Sequence, residues 1–272
     1  MDERILLIGF GNMGRALVRG WLDRGVEPSR LRVVDPADGA RAAAADLGIV
    51  AGGDLAAASF DDGPPDIVLL AVKPAQLDAA VRVCKASVGT APLYLSIAAG
   101  KPIASIAEVL GPRAAVVRAM PNTPAAVGRG MTVLTASERV DARQRAAADE
   151  LMRAVGMTAW VSDESAMDAV TAVSGSGPAY VFLLIECLAR AGAAAGLDPK
   201  LARTLATTTV AGAGAYAELS GEDPAVLRRN VTSPGGTTEA ALGVLMADDG
   251  LAGLIERAVL AAADRSRELS GS

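Results

Sequence analysis

Two short loops bring together the residue types best suited to binding and turnover. "SGSGPAY" (174–180) and "TSPGGTT" (232–238) each place Ser, Gly and Pro just ahead of an apolar, helix-like run. A helix starting there leaves N–H donors free at its positive end. The fitting ligand is a small carboxylate, cradled by amides around Gly235, Gly236 and Thr237, with Ser233 beside them. Thr238 is then free to meet the reacting centre. Ser176 and Gly177 occupy the corresponding place in the first loop. For either loop alone, a plain capped helix start is the simpler reading; two of them in one half of the chain favour a ligand.

A third loop lies far upstream. "ILLIGFGNMGRAL" holds Gly9, Gly11 and Gly14 as G-x-G-x-x-G, after a β-rich run and opening a helical one. Gly9 permits the tight turn, Gly11 lets the backbone approach a pyrophosphate, and Gly14 allows close helix–strand packing. Ile8, Phe10, Asn12 and Met13 complete the segment. An acid, Asp35, follows Gly14 at the spacing expected for a ribose contact in a dinucleotide site. Its charge opposes a 2′-phosphate, so NADH is the expected cofactor over NADPH. Arg41 folding back could offset that charge, and Asp35-Pro36 could simply be a turn. "AVKP" (Ala71, Val72, Lys73, Pro74) and "SIAAG" (96–100) each follow a strand, where ligands of open α/β sheets bind.

The chain has 272 residues and no histidine. Ser-His-Asp and Cys-His catalysis, histidine-bearing metal sites and a histidine acid are thereby excluded; no metal is expected. Lysines are few: Lys73, Lys85, Lys101 and Lys200. Reducing a carbonyl leaves a basic alkoxide that calls for a positioned acid. Reducing C=N is less demanding, because a protonated imine is already electrophilic and the product amine keeps its proton. One hydroxyl donor and a well-oriented hydride then suffice. Imine reduction fits this inventory best.

These loops need a frame. Strand-like runs at 4–9, 31–35, 66–72, 93–98, 115–120, 131–135 and 157–162 alternate with helical stretches, which implies a parallel, doubly wound sheet. From about 163 the β pattern stops. "DESAMDAVTAV" reads as a helix, Pro178 opens another that closes at Gly196, and Asp198-Pro199 and Asp223-Pro224 cap and start two more. The expected organisation is a dinucleotide-binding domain over 1–162 and an all-helical domain over 163–272. "VFLLIECLARAGAAAGL" carries Glu186 and Arg190, which argues for a buried helix rather than a membrane span. So much apolar helix suggests a dimer interface, with a monomeric core as the bland alternative.

The net charge of −5 argues against a nucleic-acid partner. Met1-Asp2-Glu3-Arg4 has no basic start followed by an apolar run, so no secretory signal is expected. Cys84 and Cys187 are far apart, which suits a reduced, cytoplasmic setting.

The chain resembles the pyrroline-5-carboxylate reductase family across essentially its full length. "IGFGNMG", "AVKP", "SIAAG", "RAMPNTP" (118–124), "DAVTAVSGSGPAY" (168–180) and "NVTSPGGTTEAAL" (230–242) carry the likeness. The last two are highly specific; the first is shared by many dehydrogenases. The resemblance implies formation of L-proline from 1-pyrroline-5-carboxylate with NAD(P)H. It also implies a Rossmann domain followed by a helical dimerisation domain, with dimers often assembling into decamers. On this sequence it puts the glycine loop, Ala71 to Pro74, Ala99, Asn122 and Asn230 on the cofactor. Thr237 and Thr238 meet the substrate, Thr238 at the ring nitrogen, and Glu164 matches a position near the amine; an ordinary helix-start acid is the other reading of Glu164. Asp35 departs from the neutral or hydroxyl residue that many members carry there. A β-hydroxyacid dehydrogenase shares the plan, but its lysine is missing from "PAYVFLLIECLARAG". A catalytically silent nucleotide-binding relative would show degraded loops, and both are intact.

Overall fold

The computed structural model describes residues 3–271, so the reading of Met1 and Asp2 lies outside the described residues. Short apolar runs become strands where both faces are covered. β1 (Ile5–Ile8) is buried along its whole length, and α1 (Asn12–Asp23) follows it. Next come β2 (Leu31–Val34), α2 (Asp38–Ala45) and β3 (Val50–Gly52). β4 (Ile67–Leu70), α3 (Leu77–Val88), β5 (Leu93–Ser96) and α4 (Ile103–Leu110) continue the alternation, then β6 (Val116–Met120), β7 (Gly130–Ala136), α5 (Ala142–Arg153) and β8 (Gly156–Trp160). One sheet runs β3-β2-β1-β4-β5-β6-β7-β8. The strand order reverses direction at β1, where a doubly wound sheet opens its ligand crevice.

All pairings are parallel except β6 with β7. Residues 121–129, which join those two strands, are too few for the crossover a parallel return needs. β3 has no apolar run to announce it. It sits at the sheet edge with Val50 exposed, held through pairs such as Val33 with Ala51.

Alternate residues of the strands feed two cores. Ile5, Leu7, Leu31 and Val33 pack with Leu17 and Trp21 on one face, where the Trp21 indole N–H donates to Leu151 O at 2.9 Å. Leu6, Ile8, Val68 and Leu70 pack with Leu77, Val81 and Ile106 on the other. A reciprocal cap starts α5: Asp141 accepts from Gln144 N, and the Gln144 side chain accepts from Asp141 N.

After β8 comes a 3-10 turn (Glu164–Ala166), then α6 (Met167–Val170) and a π-helical turn (Thr171–Gly175) in place of one uniform helix. α7 (Gly177–Ala194), α8 (Pro199–Ser220), α9 (Pro224–Asn230), α10 (Thr237–Leu245) and α11 (Leu251–Ser270) follow. Asp198 accepts from Lys200 N and Leu201 N, and Asp223 from Ala225 N, the N-caps expected of the Asp-Pro pairs.

The chain forms two compact units, 1–175 with 263–272, and 176–262. The first thus runs past residue 162, because Met167 and Ala172 are fully buried and Glu164 pairs with Arg118 of β6. It also takes in the last turns of α11, where Ser266 Oγ donates to Asp168 Oδ1 at 2.6 Å.

One expectation is not met within a single chain. α7 reads as a buried helix, yet none of its described residues is buried in the single chain. Val181, Phe182, Leu183 and Leu184 are exposed in succession, Phe182 by 63%. Consecutive positions point all round a helix, so no single packing face within this chain could cover them. By length and composition alone, Glu164–Ala194 would suffice to cross a membrane.

Candidate functional site

In the first unit the glycine loop is built by main-chain bonds. Gly9 N donates to Val34 O and Ala71 N to Ile8 O, both at 2.8 Å, which stitch the ends of β1, β2 and β4 together. Gly9 has φ +93°, and a Cβ there would stand 2.7 Å from Ala71 O. A Cβ on Gly14 would meet Gly9 O at 2.8 Å, whereas one on Gly11 would point into open space. Two glycines are therefore demanded by packing, and the middle one leaves room for something outside the chain. Gly11 is also the N-cap of α1 and has no side chain to occupy the first-turn N–H groups.

That open space belongs to a cleft of about 480 Å³ lined by Ile8, Gly9, Gly11, Asp35, Ala71, Val72 and Lys73. Val34, Gly53, Asp54, Leu55, Gln76, Ala80, Val83 and Cys84 line it too, and sequence reasoning did not single these out. The pair Gly52-Gly53 at the end of β3 was the one available signal. Burial pushes the Cys84 thiol up to about 12, so it stays protonated and apolar in character.

Asp35 is fastened as well as exposed to the cleft. Its Oδ2 accepts from Phe10 N at 2.7 Å and its Oδ1 from Ala37 N at 2.9 Å, tying the tip of the glycine loop to the end of β2. Arg41 Nη1 donates to the carbonyls of Asp35 and Pro36, and its Nη2 pairs with Asp38. The guanidinium therefore lies at the rim of the same cleft, beside Gly53.

The other expected cofactor contacts are distributed differently. The Phe10 ring is core, with Arg15 stacked 5.6 Å from its centroid. Asn12, Met13 and Gly14 form the first turn of α1 directly after Gly11, while Pro74 and Ala99 are not among the residues lining the cleft. Asn122 is engaged by protein on both sides of its amide: Nδ2 donates to Ser174 O at 3.1 Å, and Oδ1 accepts from Met131 N at 2.9 Å. Asn230 ends α9 in the second unit and is exposed.

The second unit carries the 232–238 loop. Gly236 is the N-cap of α10, and Gly235 has φ +69°. Gly235 N donates to Glu239 Oε2 at 2.7 Å, and Gly236 N to Ser233 O at 3.0 Å. Both expected cradle amides are thus occupied by protein acceptors, which leaves the first-turn N–H groups of Thr237 and Thr238 after the glycine N-cap. A glycine at the N-cap cannot occupy those donors itself. Ser233 and Thr237 are exposed, and Thr238 is partly so. In the other loop Ser176 and Gly177, both half-buried, form the start of α7 with Pro178 in its first turn.

Glu164 sits in the first unit, its carboxylate held on two sides. Oε1 accepts from Arg118 Nη1 and from Ile103 N, the first residue of α4, each at 2.9 Å. Among the described residues no cluster of three His, Cys, Asp or Glu could hold a metal ion.

The second half of the chain, residues 164–269, matches the family described as pyrroline-5-carboxylate reductase dimerisation. Residues 4–100 match the family described as NADP oxidoreductase coenzyme F420-dependent. A pyrroline-5-carboxylate reductase of Pseudomonas aeruginosa is 42% identical, over 98% of this chain and 97% of that protein. A pyrroline-5-carboxylate reductase structure from Coxiella burnetii superposes with a TM-score of 0.92 at 38% identity, covering 99% of both chains. A Plasmodium falciparum pyrroline carboxylate reductase with NADP bound has a TM-score of 0.81 at 26% identity, covering 99% of this chain and 98% of that one.

Proposed function

The chain belongs to the pyrroline-5-carboxylate reductase family, and on that premise we propose that it reduces 1-pyrroline-5-carboxylate to L-proline, the last step of proline synthesis. It is an NAD(P)-dependent oxidoreductase. The observation that carries the reading is that each unit has a donor-rich helix start, Gly11 before α1 in the first and Gly236 before α10 in the second, neither with a side chain to fill its own first turn.

The residues present fit a dinucleotide: Gly11 faces open space, and an acid and a cation stand at the rim of the cleft. When bound, the dinucleotide supplies the hydride. The N-terminus of α1 holds the pyrophosphate through its amides and dipole. Ala71, Val72 and Lys73 line the same cleft as Asp35. Asp35 favours NADH by accepting from the ribose and repelling a 2′-phosphate, with Arg41 as the opposing charge at the same rim.

The N–H groups of Thr237 and Thr238 hold the substrate carboxylate. The Thr238 hydroxyl donates to the ring nitrogen, keeping the imine polarised and oriented; no side-chain acid is required, since the product amine retains its own proton. The apolar exposed helices of the 164–269 dimerisation region pack against a second copy, and further assembly into decamers is compatible with that. A cytoplasmic location suits the two free cysteines.

The test is nicotinamide oxidation by purified protein with 1-pyrroline-5-carboxylate, comparing NADH and NADPH, and repeated with Thr238→Ala. Imine-dependent oxidation that falls at least tenfold in Thr238→Ala, with NADH affinity unchanged, is expected. Cofactor binding without turnover in the wild type would overturn the reading.

A further inference from the structure

β6 ends in the run Arg118-Ala119-Met120-Pro121-Asn122, and the chain stays extended through Asn122 at φ −124°, ψ 167°. Extended backbone sends every second side chain to one face, so Arg118, Met120 and Asn122 share a side. All three meet the same stretch of chain. Arg118 Nη1 bonds Glu164 at 2.9 Å. The Met120 methyl lies so close to Gly175 that a Cβ there would stand 2.5 Å from it. Asn122 Nδ2 donates to Ser174 O. Between those contacts the chain makes its π-helical turn, and immediately after them come Ser176 and Gly177.

The first rung is buried. Arg118 is 4% exposed, between the in-register strand neighbours Ser96 and Thr135, themselves buried. Its Nη2 has no hydrogen-bond partner among the described residues. A guanidinium kept in that position despite its desolvation is held for what Nη1 does: it fixes a carboxylate that also fastens α4 through Ile103 N.

We propose that Arg118, with Met120 and Asn122, is a positioning device for the imine substrate: it sets the backbone course of residues 164–175, the stretch that leads directly into Ser176-Gly177. Arg118 touches no reacting atom and acts through Glu164. This rests on the imine-reductase reading above, and the test separates the two.

The test uses full-length Arg118→Met, Arg118→Lys and Asn122→Ala, read by steady-state kinetics and by amide hydrogen exchange. Arg118→Met is expected to raise the imine KM at least tenfold while the NADH KM stays within twofold, and Arg118→Lys to recover most of the loss. Asn122→Ala, which leaves Glu164 untouched, is expected to shift the imine KM in the same direction. Exchange at residues 171–177 should quicken at least tenfold in Arg118→Met and Asn122→Ala, with residues 9–14 unchanged. An NADH KM rising with the imine KM, an Asn122→Ala enzyme with wild-type kinetics, or exchange unchanged at 171–177 would each overturn the proposal. Wild-type protein inert towards the imine, with the exchange change localised as described, would overturn the substrate reading and leave the ladder as the anchor of 171–177.

Discussion

Replacing Asp35 by asparagine separates the fastening its carboxylate performs from the cofactor discrimination proposed for it. The side chain accepts from Phe10 N at 2.7 Å and from Ala37 N at 2.9 Å, and it faces the cleft. Asparagine has a single acceptor oxygen and an NH2 that can only donate, so it keeps the Phe10 bond and loses the Ala37 bond. Exchanging a charge-assisted bond for a neutral one weakens the loop by about 1–2 kcal/mol, and that loss falls on NADH and NADPH alike. Charge removal does not. Two charges 4 Å apart interact by about 4 kcal/mol at an effective dielectric near 20 and by about 1 kcal/mol in water. The cleft is open to solvent, so the lower figure governs, and 1 kcal/mol is about a fivefold change. The expected result is a rise of about fivefold or more in the NADPH-to-NADH ratio of kcat/KM, on top of a shared loss of affinity. Asp35→Ala should shift the ratio equally while weakening both cofactors further, because it also releases Phe10. Initial rates with each cofactor, with binding titrations beside them, measure both effects. An unchanged ratio in Asp35→Asn would mean that the carboxylate is only a fastener of the glycine loop.

Gly9→Ala combines a positive φ with a clash at Ala71 O; a strained backbone costs on the order of 1–3 kcal/mol. A thermal melt should fall by several degrees and the NADH KM should rise, and wild-type values for both would contradict the packing argument. Phe182→Glu puts a charge among the exposed apolar side chains of α7, so sedimentation velocity should show the particle mass halved; an unaltered mass would place the dimer contact elsewhere. For Asp149 burial alone would raise the carboxyl pKa, but hydrogen bonds from Thr158, Trp160 and Arg153 outweigh it and hold the value down. Its contribution is therefore present above the ordinary carboxylate range, about pH 4, and is lost as pH falls through the depressed value. Urea melts of wild type and Asp149→Asn should converge as pH drops from 5 towards 2, and a pH-independent gap would refute this.

Local signals alone determined much of this protein. The apolar strands β1, β4 and β5 and the Asp-Pro caps of α8 and α9 follow from short-range rules: apolar runs, the fixed φ of proline and capping side chains. Gly9, Gly11 and Asp35 announce their cleft by spacing. What lay beyond the sequence was every decision made by residues distant in the chain. β3 formed because β2 offered it an edge, and β7 turned antiparallel because nine residues could not supply a crossover. Glu164 read as a helix-start acid or a substrate contact, while its bond to Arg118 spans 46 positions of chain. Spacing rules reach only as far as one turn or one strand pair. Which buried charge meets which partner is settled by packing, because the penalty for leaving it alone arises only once the surrounding core has closed.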